Sequence, residues 1–139
     1  MENVKIIECP RDAMQGIKSH FISTDRKALY INSLLKVGFD TIDFGSFVSP
    51  KAIPQMRDTA AVLAQLDLST TRSKLLAIIA NYRGAVDAVQ FEEIDYLGYP
   101  FSISENFQMR NTHKTINESI ITLDKILNLA EQSKKEVVA

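Results

Sequence analysis

Four clusters of polar residues stand directly behind apolar runs in this sequence. The first is Glu8-Cys9-Pro10-Arg11-Asp12-Ala13-Met14-Gln15, and the second spans residues 43–51 with Asp43, Ser46, Ser49 and Lys51. The third is Asn81-Tyr82-Arg83-Gly84, and the fourth is Ser104-Glu105-Asn106-Phe107. Carboxylates, an arginine, amides and hydroxyls are ligand-binding groups, and an arginine abutting a strand end is well placed for an oxyanion. Each residue also has a plainer reading. Asp12 can cap a helix or pair with Arg11, Gln15 can be solvated, Ser46 can serve a turn, and Asn81 can be a helix cap. Cys9 reads as a packing residue. His20 and His113 are too far apart in sequence for a ligand pair, and Lys134-Lys135 reads as an ordinary basic helix end.

The elements that must position these clusters alternate in period. Residues 4–8, 39–44 and 74–80 are short, apolar and β-branched, as strands are; residues 96–103 form a weaker run broken by Gly98 and Pro100. Between them lie helical patterns. Ser23-Thr24-Asp25 offers cap chemistry ahead of Ala28, Ile31, Leu34 and Leu35, with Gly38 to end that helix. Pro54 opens another, and residues 84–91 make a short one. Residues 115–134 carry the strongest pattern, with Ile116, Ile120, Leu123, Leu127 and Ala130 expected on its buried face. Residues 136–139 read as a fifth strand beginning.

This order predicts an α/β fold of repeated parallel crossovers. Both an open doubly wound sheet and the first half of an eight-stranded barrel fit, the barrel normally needing about 250 residues. No phosphate-binding glycine loop follows the first strand, which argues against dinucleotide binding. Sixteen basic against seventeen acidic residues give no reason to expect nucleic acid or an anionic membrane as partner. A single cysteine, no secretory leader at residues 1–5 and no apolar run of membrane-spanning length predict a cytoplasmic protein.

Pro10-Arg11-Asp12-Ala13-Met14-Gln15 resembles the Pro-Arg-Asp-Gly-Leu-Gln motif of the hydroxymethylglutaryl-CoA lyase family. Ser46-Phe47-Val48-Ser49-Pro50-Lys51, followed by Pro54-Gln55-Met56, resembles that family's second-loop signature nearly letter for letter. Asn81 with Gly84, and residues 104–107 with Asn111, recur in register, so the resemblance covers essentially the whole chain. It implies a (β/α)8 TIM barrel, with residues 1–139 as the amino-terminal half of a lyase-type domain: four βα units and the start of strand five.

The implied reaction is metal-dependent retro-Claisen cleavage of 3-hydroxy-3-methylglutaryl-CoA to acetyl-CoA and acetoacetate, with Mg2+ or Mn2+ as cofactor. Carried over by motif, Asp12 is a metal ligand and Arg11 stabilises the enolate oxygen. Gln15, Ser46 and Asn81 bind or position substrate, with Asn81 equally readable as a cap. Asp43 is a catalytic carboxylate standing where the family has glutamate. The shorter side chain retracts the carboxylate by about 1.5 Å, an amount that matters for proton transfer and points to a divergent substrate. The family's His-x-His pair, asparagine ligand and glycine-rich lid have no counterpart in the sequence. The expectation is therefore a fragment, a truncated product, or a half-barrel that pairs with itself or a partner. A related acyl-CoA aldolase or Claisen-type synthase is the enzymatic alternative, and a non-catalytic half-barrel the other.

Overall fold

The computed structural model describes residues 4–139; residues 1–3, part of the segment read above as lacking a leader, lie outside it. Five strands alternate with six helices. In chain order these are β1 (Ile7–Glu8), α1 (Pro10–Gln15), α2 (Thr24–Leu35), β2 (Thr41–Ser46), α3 (Thr59–Leu63) and β3 (Lys74–Ile78), then α4 (Tyr82–Ala88), β4 (Tyr96–Gly98), α5 (Glu105–Thr112), α6 (Ile116–Gln132) and β5 (Glu136–Val138). Every strand is parallel to its neighbours, and the order across the sheet is the order along the chain.

That order decides between the two architectures. An open doubly wound sheet reverses direction at a switch point, where its ligand crevice forms. A sequential sheet with right-handed crossovers puts every helix on one face, as a barrel does. The helix-side core holds Ile42, Phe44, Leu75, Ala77, Ile79, Leu97 and Tyr99 from the strands, against Ala28, Ile31, Ala85, Ala88, Ile126 and Ala130 from the helices. The opposite face carries Leu76, Ile78 and Gly98: a Cβ on Gly98 would fall 2.5 Å from Ile78 Cδ1 and 3.0 Å from Leu76 Cδ2.

Several sequence expectations need correcting. Pro54 opens only a 3-10 turn, Pro54–Met56, and the true helix begins at Thr59. The fourth strand stops at Gly98, before the proline that cannot donate to a ladder. Helices α1 and α5 were not foreseen. In α6 the core stripe is rotated: Ser119, Ile126 and Ala130 are buried, whereas Ile120 and Leu127 are half exposed at 49% and 48%. Lys135 is not a solvated helix end either. Its buried ammonium donates to the carbonyls of Phe91 and Ile94, both at 2.7 Å, and burial lowers its pKa. No helix of the described residues is long and apolar enough to cross a membrane.

Candidate active site

The first two units bring four of the singled-out residues into one hydrogen-bonded group. Pro10 supplies the first position of α1, where its missing N–H costs nothing. This short helix turns Arg11 back towards β2. There the Arg11 Nε donates to both carboxylate oxygens of Asp43 at 3.1 Å, and Nη2 donates to Oδ2 at 2.5 Å. The remaining terminal nitrogen, Nη1, donates to Asp12 Oδ1 at 3.2 Å and to Gln15 Oε1 at 3.0 Å. Gln15 Nε2 also donates to Asp12 Oδ1, at 2.8 Å.

Burial sorts these groups. The side chains of Arg11 and Asp43 are 13% and 5% exposed, while that of Asp12 is 66% exposed. Burial pushes the Asp43 carboxyl up; the hydrogen bond and charge of Arg11 pull it back only in part, so its pKa stays above the usual value. Burial alone would weaken the Arg11 cation, but its bond to Asp43 and the surrounding negative charge hold its pKa above the usual value. Asp43 sits at an irregularity of register in which β2 gains one residue over β3 between Asp43 and Gly45. Such bulges re-aim side chains at barrel rims. Beyond it, Gly45 packs so tightly on α3 that a Cβ would lie 2.5 Å from Thr59 Cγ2.

Ser46 and Asn81 are not in this group. They line a hollow of about 390 Å3 between the loop after β2 and the first turn of α4. Ser46 is buried, and its hydroxyl accepts from Val48 N at 3.2 Å, fixing the loop. Its own backbone is served by Thr59, whose hydroxyl accepts from Ser46 N and reaches Ser46 O, both at 3.0 Å. The sequence reading missed Thr59; nothing in a helical Thr-Ala-Ala-Val-Leu announces a partner 13 residues back. Asn81 is the cap of α4: its Oδ1 accepts from Gly84 N at 2.9 Å. Gly84 itself permits that closeness, since a Cβ there would stand 2.7 Å from the Phe47 carbonyl oxygen.

Cys9 is exposed rather than packed, because it precedes α1 at the rim. Partial burial and the nearby Asp43 raise its pKa, which keeps the thiol protonated and a poor nucleophile at neutral pH. His113 ends α5 in a left-handed conformation. Among the described residues, no three His, Cys, Asp or Glu side chains gather as a cation site. Within the Arg11 group, Asp12 offers the exposed carboxylate, the hard oxygen donor that Mg2+ or Mn2+ takes.

No protein-family model matches the chain. Known proteins do. The mitochondrial hydroxymethylglutaryl-CoA lyase of Macaca fascicularis is 34% identical over 139 residues, an alignment covering 98% of this chain and 41% of the relative. The solved HMG-CoA lyase of Brucella melitensis superposes with a TM-score of 0.89 at 31% identity, over 99% of this chain and 48% of that one. This chain matches the amino-terminal half of the hydroxymethylglutaryl-CoA lyases. The HMG-CoA lyase of Acinetobacter baumannii, solved with coenzyme A and 3-methylmalate, agrees: TM-score 0.85 and 31% identity over 96% of this chain and 44% of the other. The parallel five-stranded sheet thus matches about the first half of the TIM barrel of those lyases, as the sequence motifs implied. The chain spans less than half the length of the lyases it matches.

Proposed function

We propose that these residues carry the enolate-binding side of a lyase-type centre that cleaves a 3-hydroxyacyl-CoA to acetyl-CoA and a keto acid. The observation behind this reading is the Arg11–Asp43 pair, a buried guanidinium from the helix that follows β1 and a carboxylate from the middle of β2, held by three hydrogen bonds. Cleavage takes the proton from a tertiary hydroxyl, breaks the carbon–carbon bond and leaves negative charge on an enolate oxygen. A guanidinium fixed in place before the charge develops stabilises it without reorganising. Asp43 orients Arg11, and its raised pKa suits a group that takes and returns a proton. Gln15 and Arg11 orient Asp12, whose exposed carboxylate would hold a divalent cation. Such a cation, when bound, polarises substrate oxygens as a Lewis acid. Ser46 fixes the loop after β2 and Asn81 caps α4 across the neighbouring hollow, where they would position the rest of the substrate. Aspartate in place of glutamate at position 43 favours a substrate other than 3-hydroxy-3-methylglutaryl-CoA itself. A reducing cytoplasm suits the free Cys9 thiol.

A chimera tests this reading: residues 1–139 replacing the matching half of the Brucella melitensis lyase, assayed with Mg2+ or Mn2+ on a panel of 3-hydroxyacyl-CoA esters. The chimera is expected to form acetyl-CoA, and Asp12→Ala or Arg11→Lys to lower turnover at least about 100-fold, as loss of one oxyanion donor does. A folded but inert chimera, or full turnover in both variants, would overturn the assignment.

The open sheet supports a second proposal, about partners. Ile7 on β1 and Val138 on β5 are 49% and 45% exposed, and β1 and β5 are the sheet's edges among the described residues. Unpaired parallel edges beside an apolar inner face drive association. The 139-residue polypeptide is expected to scatter light as a dimer, or a larger species, at tens of micromolar. A monodisperse monomer under those conditions would refute it.

A further inference from the structure

The motif stretch Pro54-Gln55-Met56 has no part in the proposed chemistry, yet Gln55 is only 5% exposed and its amide is almost fully engaged. Its Nε2 donates to the carbonyls of Ile17 at 2.8 Å and His20 at 2.6 Å, and its Oε1 accepts from Ile22 N at 3.1 Å. One side chain therefore satisfies three backbone groups in the irregular segment joining α1 to α2. The anchor is itself anchored. Lys27, 2% exposed, donates from Nζ to the Gln55 carbonyl and, at 2.6 Å, to Asp58 Oδ1. Thr24 donates to the other Asp58 oxygen at 2.7 Å. Two cations lie over the Phe21 ring, Lys27 Nζ at 4.1 Å and Arg57 Cζ at 3.9 Å from its centroid.

We propose that Gln55 is a positioning residue for the Arg11–Asp43 pair, acting through helix α1; calling it so rests on the reading of that pair given above. Helix α1 has six residues, too few to hold a fixed direction by its own hydrogen bonds. Buried Pro10 and Met14 seat it on β2 and the core, and what remains of its direction is set by what ties its ends. At the amino end Arg11 grips Asp43, and β1 adds only the two paired residues Ile7 and Glu8. At the other end the tie is Ile17 O, held by Gln55 from the 3-10 turn against which α1 packs. With that tie cut, α1 can rock about its packed Met14, and the aim of the guanidinium shifts with it.

Nuclear magnetic resonance on the labelled 139-residue chain reads this directly, through the Arg11 Nε–H, which a carboxylate partner protects from solvent exchange. In Gln55→Leu, exchange of the Arg11 Nε–H and the Ile22 amide should quicken about fivefold, the factor one net hydrogen bond is worth. Ile126→Val, a core truncation in distant α6, should leave the Arg11 signal unchanged. In the unaltered chain, low urea should open the Arg11 Nε–H and the Ile22 amide together, before the Ala77 amide of β3. A folded Gln55→Leu chain with unaltered Arg11 exchange overturns the proposal. If that variant does not fold, separate opening of the two protons in the unaltered chain overturns it. The readout needs no turnover, so its failure would leave the lyase reading standing, and failure of the chimera would leave the clamp standing.

Discussion

Arg11→Met should cost the fold about 3–5 kcal/mol at pH 7, the usual loss when one partner of a buried ion pair is removed. Methionine keeps the apolar stem but leaves the Asp43 carboxylate, 5% exposed, with no cation. The pH dependence identifies the cause. Asp43 already has a raised pKa in the folded chain, because burial outweighs Arg11. A carboxyl whose folded pKa lies above its unfolded value stabilises most below the unfolded value, and that contribution is lost as pH rises through the folded one. Removing Arg11 takes away both influences that lower the Asp43 pKa, so the loss becomes larger and extends to higher pH. The deficit relative to the unaltered chain should therefore be greatest at neutral pH and shrink towards pH 4, where the carboxyl is protonated. Urea denaturation at the two pH values measures it. An equal deficit at both would mean that Arg11 stabilises by packing alone.

Ile126→Ala is the second large effect, at about 2–5 kcal/mol for a buried aliphatic truncated in a packed core. Ile126 is 0% exposed and belongs to the helix-side cluster. Its counterpart Ile120→Ala, at a residue 49% exposed, should change stability by no more than about 0.5 kcal/mol. Urea midpoints of the two variants would separate them. A larger loss from Ile120→Ala would put the sequence-based stripe back in place of the observed one.

That stripe shows where sequence reading fails. The apolar spacing of α6 favours Ile120 and Leu127, yet the helix turns Ser119 inward. Ser119 tolerates full burial because Gln108 Nε2 reaches its hydroxyl at 2.6 Å and the Tyr99 hydroxyl lies 3.5 Å from its carbonyl. Gln108 comes from α5, which has no apolar periodicity of its own; its exposed Phe107 and Met109 lie off the core, and Gln108 is its one buried residue. A polar pair satisfied across two helices leaves no trace in hydrophobic patterning. Lys27 and Lys135 escaped for the same reason, since a buried lysine is legible only once its carbonyl partners are in view. The strands were legible because burial on both faces demands continuous apolar runs, as at residues 75–79. Arg11, Asp12, Gln15 and Asp43 were visible through their motifs, but a bond across 32 residues of sequence was not.

The sequential strand order also shapes how the chain is made. Each of the described strands after β1 hydrogen-bonds to the one synthesised just before it, so none of these four pairings waits on a distant later segment. Loop-closure entropy grows only slowly with length, and each crossover here closes over a few tens of residues. Emerging from the ribosome at about 5–20 residues per second, the chain can add unit upon unit to a growing template. Arg11, Asp12, Gln15 and Asp43 all lie in the first two units, so their contacts can form while the rest of the sheet is still being translated.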